Sequence, residues 1–371
     1  MYRTTTSAVR FALFLSLMIV PWCDSLAQGA QPKDVRALRT GAERIQLYAR
    51  REGKAPDSSK KQLDDLRRQI RDKTFTFKVG YTTAADRKLS DLCGWRPQKA
   101  LGQVAKQQNK IAMQKMQEMM AWTKQKGLKG VFQRYGSVDD ARFNWAEHGK
   151  VTAVRDQGAC GSCWAFAALG AFEGSTAIRF SGVHLDFSEQ CLLECTDGDC
   201  RGGHPWMHAF PYIDEEGIPT EASYPYTAPR ISSCRRMLKM HGAKTWGYVG
   251  TLQRLPDGYD GTQPSVTELK RALLEHGPLA AGVNVTTLFQ HYTGGVFDEH
   301  HRGASVNHGV TLIGWDDTKG SAGAWQIKNS WGPDWGEDGF MWIEYGCNNI
   351  GRDAGWIEFN REMHSARIRI R

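Results

Sequence analysis

Hydrophobic positions change their spacing several times along the chain, and the changes divide it. Near the start, Arg3 and Arg10 flank an apolar run from Phe11 to Val20, followed by Ser25-Leu26-Ala27. That run is too short to span a bilayer and has the layout of a secretory signal, expected over 1–27. From Asp34 to Ile70, apolar residues recur at Val35, Leu38, Ile45, Leu47, Leu63, Leu66 and Ile70, broken by Gly53 and Pro56. The spacing predicts helices with an interruption. Phe75-Thr76-Phe77-Lys78-Val79-Gly80 then alternates as a strand does. Ala100 to Lys126 returns to helical spacing with Met113, Met116, Met119, Met120 and Trp122. Flexible methionines suit a surface that adapts to a partner, so this helix is expected on or near the functional cleft. Further on, Trp164 to Glu173 holds only Ala, Leu, Phe, Gly and one acid after its tryptophan, as a buried helix would. Pro278 to Val285, Val306 to Trp315, Trp325 to Lys328 and Gly339 to Glu344 are short apolar or alternating runs bounded by glycine, read as strands.

The 371 residues leave room for two or three folding units, and 41% hydrophobic with 11% aromatic is ordinary for a globular protein. Charge is not evenly spread. Residues 28–137 carry 25 Lys or Arg against 10 Asp or Glu, whereas 138–371 carry 21 against 29. The overall net of +8 therefore belongs to the N-terminal part. Formal charge alone suggests a nucleic-acid binder, but a basic segment ahead of an acidic domain is better suited to docking on that domain. No nucleic-acid partner is expected. No later stretch is long and apolar enough for a transmembrane helix. An exported chain meets an oxidising compartment, secreted, periplasmic or lysosomal, where paired cysteines make sense.

Candidate chemistry centres on Gln157-Gly158-Ala159-Cys160-Gly161-Ser162-Cys163-Trp164. A Gly-rich turn leads into Cys163 at a helix start, where the helix dipole favours thiolate over thiol. Cys160 to Trp164 matches C-G-[SA]-C-[WY], the pattern around the papain and cathepsin nucleophile. Asn307-His308-Gly309-Val310 lies at the downstream distance expected of the family's histidine, and Lys328-Asn329-Ser330-Trp331-Gly332 looks like its asparagine motif. The chain thus resembles the papain family, almost continuously from Phe143-Asn144-Trp145 onward. Singly, these motifs have plainer readings: a redox C-x-x-C, a core histidine, a turn asparagine. No single structural need places all of them together in this order.

The resemblance implies an α+β, papain-like two-domain fold, a helical half and a β-barrel-like half with the cleft between, preceded by a mainly helical pro-segment. It implies a pro-segment over 28–137 and a protease domain over 138–371. It also implies hydrolysis of peptide bonds through an acyl-enzyme on Cys163, with His308 as base and then acid. Asn329 would orient the imidazole, Gln157 donate to the oxyanion, and Trp331 shield the His308–Asn329 bond. Peptide or protein substrates are implied, with the pro-segment as intramolecular inhibitor, the enzyme a monomer, and neither cofactor nor metal needed. Matched positions for the pocket that takes the side chain two before the scissile bond are His204, Pro205, Gly282, Val306 and Ala354. Gly202, Gly203 and Asn307 flank it, Gly202 and Gly203 being placed to pair with the substrate backbone. The family frame gives the bridges Cys160–Cys200 and Cys195–Cys234. Cys191 and Cys347 remain, one from each half, either bridged to each other or both buried free thiols. Two rival readings are a thiol-disulfide oxidoreductase using Cys160 and Cys163, and an inactive papain-fold binding or inhibitor protein.

Overall fold

The computed structural model describes residues 38–97, 101–125, 135–180, 183–229, 233–235, 240–301, 303 and 305–359. The secretory signal expected over 1–27 lies outside them. Helix α1 (Gly41–Gly53) starts with a reciprocal capping box between Thr40 and Glu43, and α2 (Asp57–Asp72) follows the break at Pro56. Only part of the expected apolar stripe is core. Leu63 and Leu66 are buried, whereas Leu38 and Ile45 are 67% and 63% exposed. The alternating stretch yields a two-residue strand, β1 (Lys78–Val79).

Residues 82–96 form a largely extended strap with a 3-10 turn at Ala84–Asp86 and an α-helical turn at Leu89–Leu92. Helix α3 (Leu101–Gln125) comes next. It does not lie in the cleft. Its polar face grips a strand edge: Gln108 donates to the Trp246 carbonyl (3.2 Å), and Asn109 bonds both the N–H and the carbonyl of Tyr248 (3.0 and 3.3 Å). Met113, expected to pack, is 62% exposed. Methionine spacing marked a helix without indicating which of its faces would dock.

The C-terminal domain opens with β2 (Arg142–Asn144) and a long buried helix, α4 (Cys163–Arg179), followed by α5 (Glu189–Cys195). Strands β3 (Ala243–Tyr248), β4 (Leu279–Val283), β5 (Tyr292–Gly294), β6 (Val296–Phe297), β7 (His308–Asp316), β8 (Ala324–Lys328), β9 (Phe340–Glu344) and β10 (Arg352–Phe359) follow. One eight-stranded sheet takes the order β3-β10-β4-β7-β8-β9-β6, with β2 paired to β7, while β1 pairs separately with β5. One core gathers Trp164, Phe172, Phe187 and Leu192 around α4; the other gathers Trp145, Trp315, Trp325, Trp331 and Trp335 around the sheet. This is the expected helical half and strand-rich half.

Two bridges form as the family frame implies, Cys160–Cys200 and Cys195–Cys234. The Cys191–Cys347 bridge does not. Both are buried free thiols, Cys191 among the core around α4 beside Tyr212 and Cys347 in the sheet core beside His300. Each has an apolar pocket of its own, in separate cores.

Helix α4 presses onto the sheet through Gly170, where an added Cβ would lie 2.3 Å from the Thr311 hydroxyl oxygen. This close approach sets Cys163, first residue of α4, opposite His308, first residue of β7. Gly170→Val should therefore cost about 1–3 kcal/mol by overpacking, read as a lower urea midpoint with an unchanged slope. An unchanged midpoint would mean that the contact is not tight.

Candidate active site

The chain turns sharply before α4, so Cys163 and Gln157 share one wall of the cleft, while β7 and the end of β8 carry His308 and Asn329 on the other. His308 Nε2 lies 2.8 Å from Asn329 Oδ1, which also accepts the Ser330 N–H at 2.8 Å. The buried Trp331 ring covers the imidazole at 4.7 Å between centroids and is itself backed by Trp335 and Phe289. That cover keeps water from competing for the His308–Asn329 bond. Gln157 is clamped: Ser330 Oγ donates to its Oε1 at 2.7 Å, which turns the amide N–H groups inward to the Leu92 and Cys160 carbonyls at 3.0 and 2.6 Å. Ser330, the residue that fixes this amide, was not singled out from the sequence. Its only sequence signal is adjacency to Asn329.

The strap fills this site. The Leu92 carbonyl receives Gln157 Nε2 and stands 3.1 Å from His308 Nδ1, the ring nitrogen not engaged by Asn329. The Gly94 N–H points at Cys163 Sγ from 3.3 Å. Backbone bonds continue along the cleft, from Gly203 N–H to Gly94 O (2.8 Å), Arg96 N–H to Gly203 O (3.0 Å) and Trp95 N–H to Asn307 O (2.9 Å). The Trp95 ring sits 4.7 Å from the His204 ring and packs against Gly282 and Gly309. Gly202 approaches Gly94 and Arg96. Trp95 thus marks a pocket at His204, Gly203, Gly282 and Asn307, with Gly309 as a lining residue the sequence reading missed. Pro205, Val306 and Ala354 are buried.

Electrostatics follow from this closure. Burial pushes the Cys163 thiol up to about 11, against the backbone N–H groups of Gly309 and Gly94 that favour thiolate, and lowers His308 to about 4, against its bonds to Asn329 and Leu92. Under the strap both groups are neutral. The sequence pointed to a thiolate at the helix start; the strap removes the water and the imidazole contact that such a charge needs.

Salt bridges hold the strap and its flanks. Arg39 pairs with Asp334 and Asp338, Arg44 with Asp338, Arg87 with Asp156, Arg96 with Asp199 and Lys115 with Asp214. Each joins a basic residue of the N-terminal segment to a carboxylate of the C-terminal domain, as the uneven charge distribution suggested. Cys160 is tied to Cys200 and Cys163 is free, so the two do not form a redox pair here.

A family model described as papain family cysteine protease matches residues 140–357. A cathepsin L of Sarcophaga peregrina is 37% identical over 213 residues, 56% of this chain and 59% of that protein. The chain spans about three-fifths of the length of such curated relatives, 58% for a cysteine endopeptidase of Oryza sativa subsp. japonica that is 34% identical over 232 residues, 60% of this chain. Among solved structures, a digestive procathepsin L 3 of Tenebrio molitor larval midgut aligns over 87% of this chain and 94% of its own, with a TM-score of 0.59 at 23% identity, a likeness of fold.

At Gly94 an added Cβ would lie 1.6 Å from the Gly161 carbonyl oxygen, so only glycine lets the strap pass this close. Gly94→Ala should lift it. Cys163 in the intact variant is expected to react with iodoacetamide at pH 7 at least about tenfold faster than wild type, a shift of some 1.4 kcal/mol in the closed equilibrium. Equal rates would show that the strap does not protect the thiol.

Proposed function

Because the chain belongs to the papain family of cysteine proteases, we propose that it is a cysteine endopeptidase made as an inactive precursor, with Cys163 attacking the peptide carbonyl and residues 28–137 acting as its pro-segment. The supporting observation is the joint placement of Cys163, His308, Asn329 and Gln157 around a strap from the chain's own N-terminal segment. With the strap gone, the Cys163 proton passes to His308, and the imidazolium and the N-terminus of α4 hold the thiolate. Attack on a substrate carbonyl gives an oxyanion that receives the Cys163 backbone N–H and Gln157 Nε2, the amide now turned to Leu92. His308 then protonates the leaving amine, and water attacks the thioester. Asn329 keeps the ring in line throughout. An inactive binding protein has no need of a complete set of such groups.

Substrate backbone would take over the bonds that Gly203 and Asn307 now make to the strap, beside Gly202. The pocket of His204, Pro205, Gly282, Val306 and Ala354 would accept a hydrophobic or aromatic side chain, as Trp95 already does from the pro-segment. Trp331 stands beyond the catalytic histidine, covering the departing side of the cleft. Export to a secretory, periplasmic or lysosomal space fits the two bridges. We take the enzyme to be a monomer acting on peptides or proteins.

Three outcomes test this reading. Cys163→Ser should abolish turnover of a fluorogenic peptide panel by the processed enzyme, whereas full retained activity would refute the mechanism. Gln157→Ala should lower kcat by about 10²-fold or more with little change in KM, since the lost donor acts on the developing charge. A matching rise in KM alone would assign Gln157 to substrate binding.

Self-processing should be faster below about pH 4 than at pH 7. Release of the strap moves a proton from Cys163 to His308 without net uptake, so the dependence rests on the salt-bridged carboxylates. Burial pushes Asp199 up, but bonds from Arg201 and the charges of Arg201 and Arg96 outweigh it and leave its carboxyl below the usual range, and of these only the Arg96 charge departs with the N-terminal segment. The Arg96 share of that depression stabilises docking above the free pKa of about 4 and is lost as pH falls through the lowered value. Docking of the basic segment should weaken accordingly, and high salt should accelerate processing at pH 7. Rates independent of pH and salt would remove the electrostatic account.

A further inference from the structure

Within residues 28–137 the chain has one cysteine, Cys93, and the fold delivers it to the nucleophile. Cys93 directly precedes Gly94, whose N–H points at Cys163 Sγ from 3.3 Å. Covalent geometry then places the Cys93 Cα no more than about 6 Å from that sulfur. Its carbonyl and Gly94 rest on Gly161, two residues before Cys163. Both thiols are free, Cys163 buried and Cys93 half-buried. Burial and then the charge of a Cys163 thiolate push the Cys93 thiol up, a mark of how near the two sit. A disulfide needs its two Cα atoms within about 7 Å, a separation that this passage of the strap over the nucleophile allows.

We propose that Cys93 is a covalent latch, forming a disulfide with Cys163 that ties the pro-segment to the nucleophile in an oxidising compartment until a thiol reductant releases it. The idea rests on the reading of Cys163 as the nucleophile. A small-molecule disulfide such as oxidised glutathione supplies the oxidising equivalents. The Cys163 thiolate attacks one of its sulfurs and expels one glutathione thiolate; the Cys93 thiolate then attacks Cys163 Sγ and expels the glutathione held there. Two protein thiols are oxidised and one small disulfide is reduced to two thiols. Exchange takes place before the strap is fully seated, because the closed site holds both sulfurs as thiols. The latch complements the salt bridges. Acid and salt weaken those, whereas the disulfide persists until it is reduced.

The intact chain, refolded from denaturant in the presence of oxidised glutathione at pH 7.5, is denatured again, alkylated and digested without reduction. A Cys93–Cys163 linked peptide is expected, and its absence, with both residues alkylated or with glutathione on Cys163 alone, overturns the proposal. A second readout does not depend on turnover. Oxidised wild type is nicked with an external protease and run on a non-reducing gel after denaturation. The N-terminal segment should stay attached to the protease domain and come free with dithiothreitol, whereas in Cys93→Ser it should come free without reductant. Equal release from both chains overturns the latch. Neither readout needs peptidase activity, so failure of the latch is distinguishable from retention of turnover by Cys163→Ser, which would instead refute the nucleophile.

Discussion

The closed site depends on the passage of one backbone over another at Gly94 and Gly161, where no side chain fits. Because the strap lies that close, the Leu92 carbonyl reaches the imidazole and the amide of Gln157 together, and the Gly94 N–H reaches the sulfur. Every group expected to handle charge during catalysis is thus occupied by a neutral backbone partner. Burial then keeps thiol and imidazole uncharged, which a polar but dry site favours strongly over an ion pair.

Two kinds of force hold the strap, and they respond to different conditions. Backbone bonds to Gly203 and Asn307 and the buried Trp95 ring do not titrate. Charge pairs such as Arg39–Asp338 and Arg87–Asp156 are screened by salt, and they flank the site on the N-terminal side, where the segment's two helices and β1 also dock. Helix α3 grips the edge of β3 on the far side of the strap. The blocking residues are consequently anchored from both ends, and salt weakens the charged anchors rather than the block itself.

Cys163, His308, Asn329 and Gln157 were legible in the sequence because their chemistry demands residue types in a fixed order within motifs. The helical half and the strand-rich half were legible from apolar spacing. Leu92, Gly94 and Trp95 were not, since an extended strap takes its conformation from the surface it crosses and leaves no periodicity of its own. The docking face of α3 was not legible either: the neighbouring polar residues Gln108 and Asn109 bond the edge of β3, while Met113 is exposed. Of the two readings left open for Cys191 and Cys347, the structure shows the buried free thiols; an even count of cysteines says nothing of distance, and each thiol lies in a different core.

The central claim is that the strap holds the catalytic pair neutral. Thiolate absorbance near 240 nm, taken as the difference between wild type and Cys163→Ser, tests it in the intact chain and in the processed enzyme across pH. The account predicts no Cys163 thiolate at pH 7 in the intact chain, with its appearance delayed toward pH 11, and a thiolate already present at pH 7 once the strap is gone. A thiolate signal of equal size at pH 7 in both forms would contradict it.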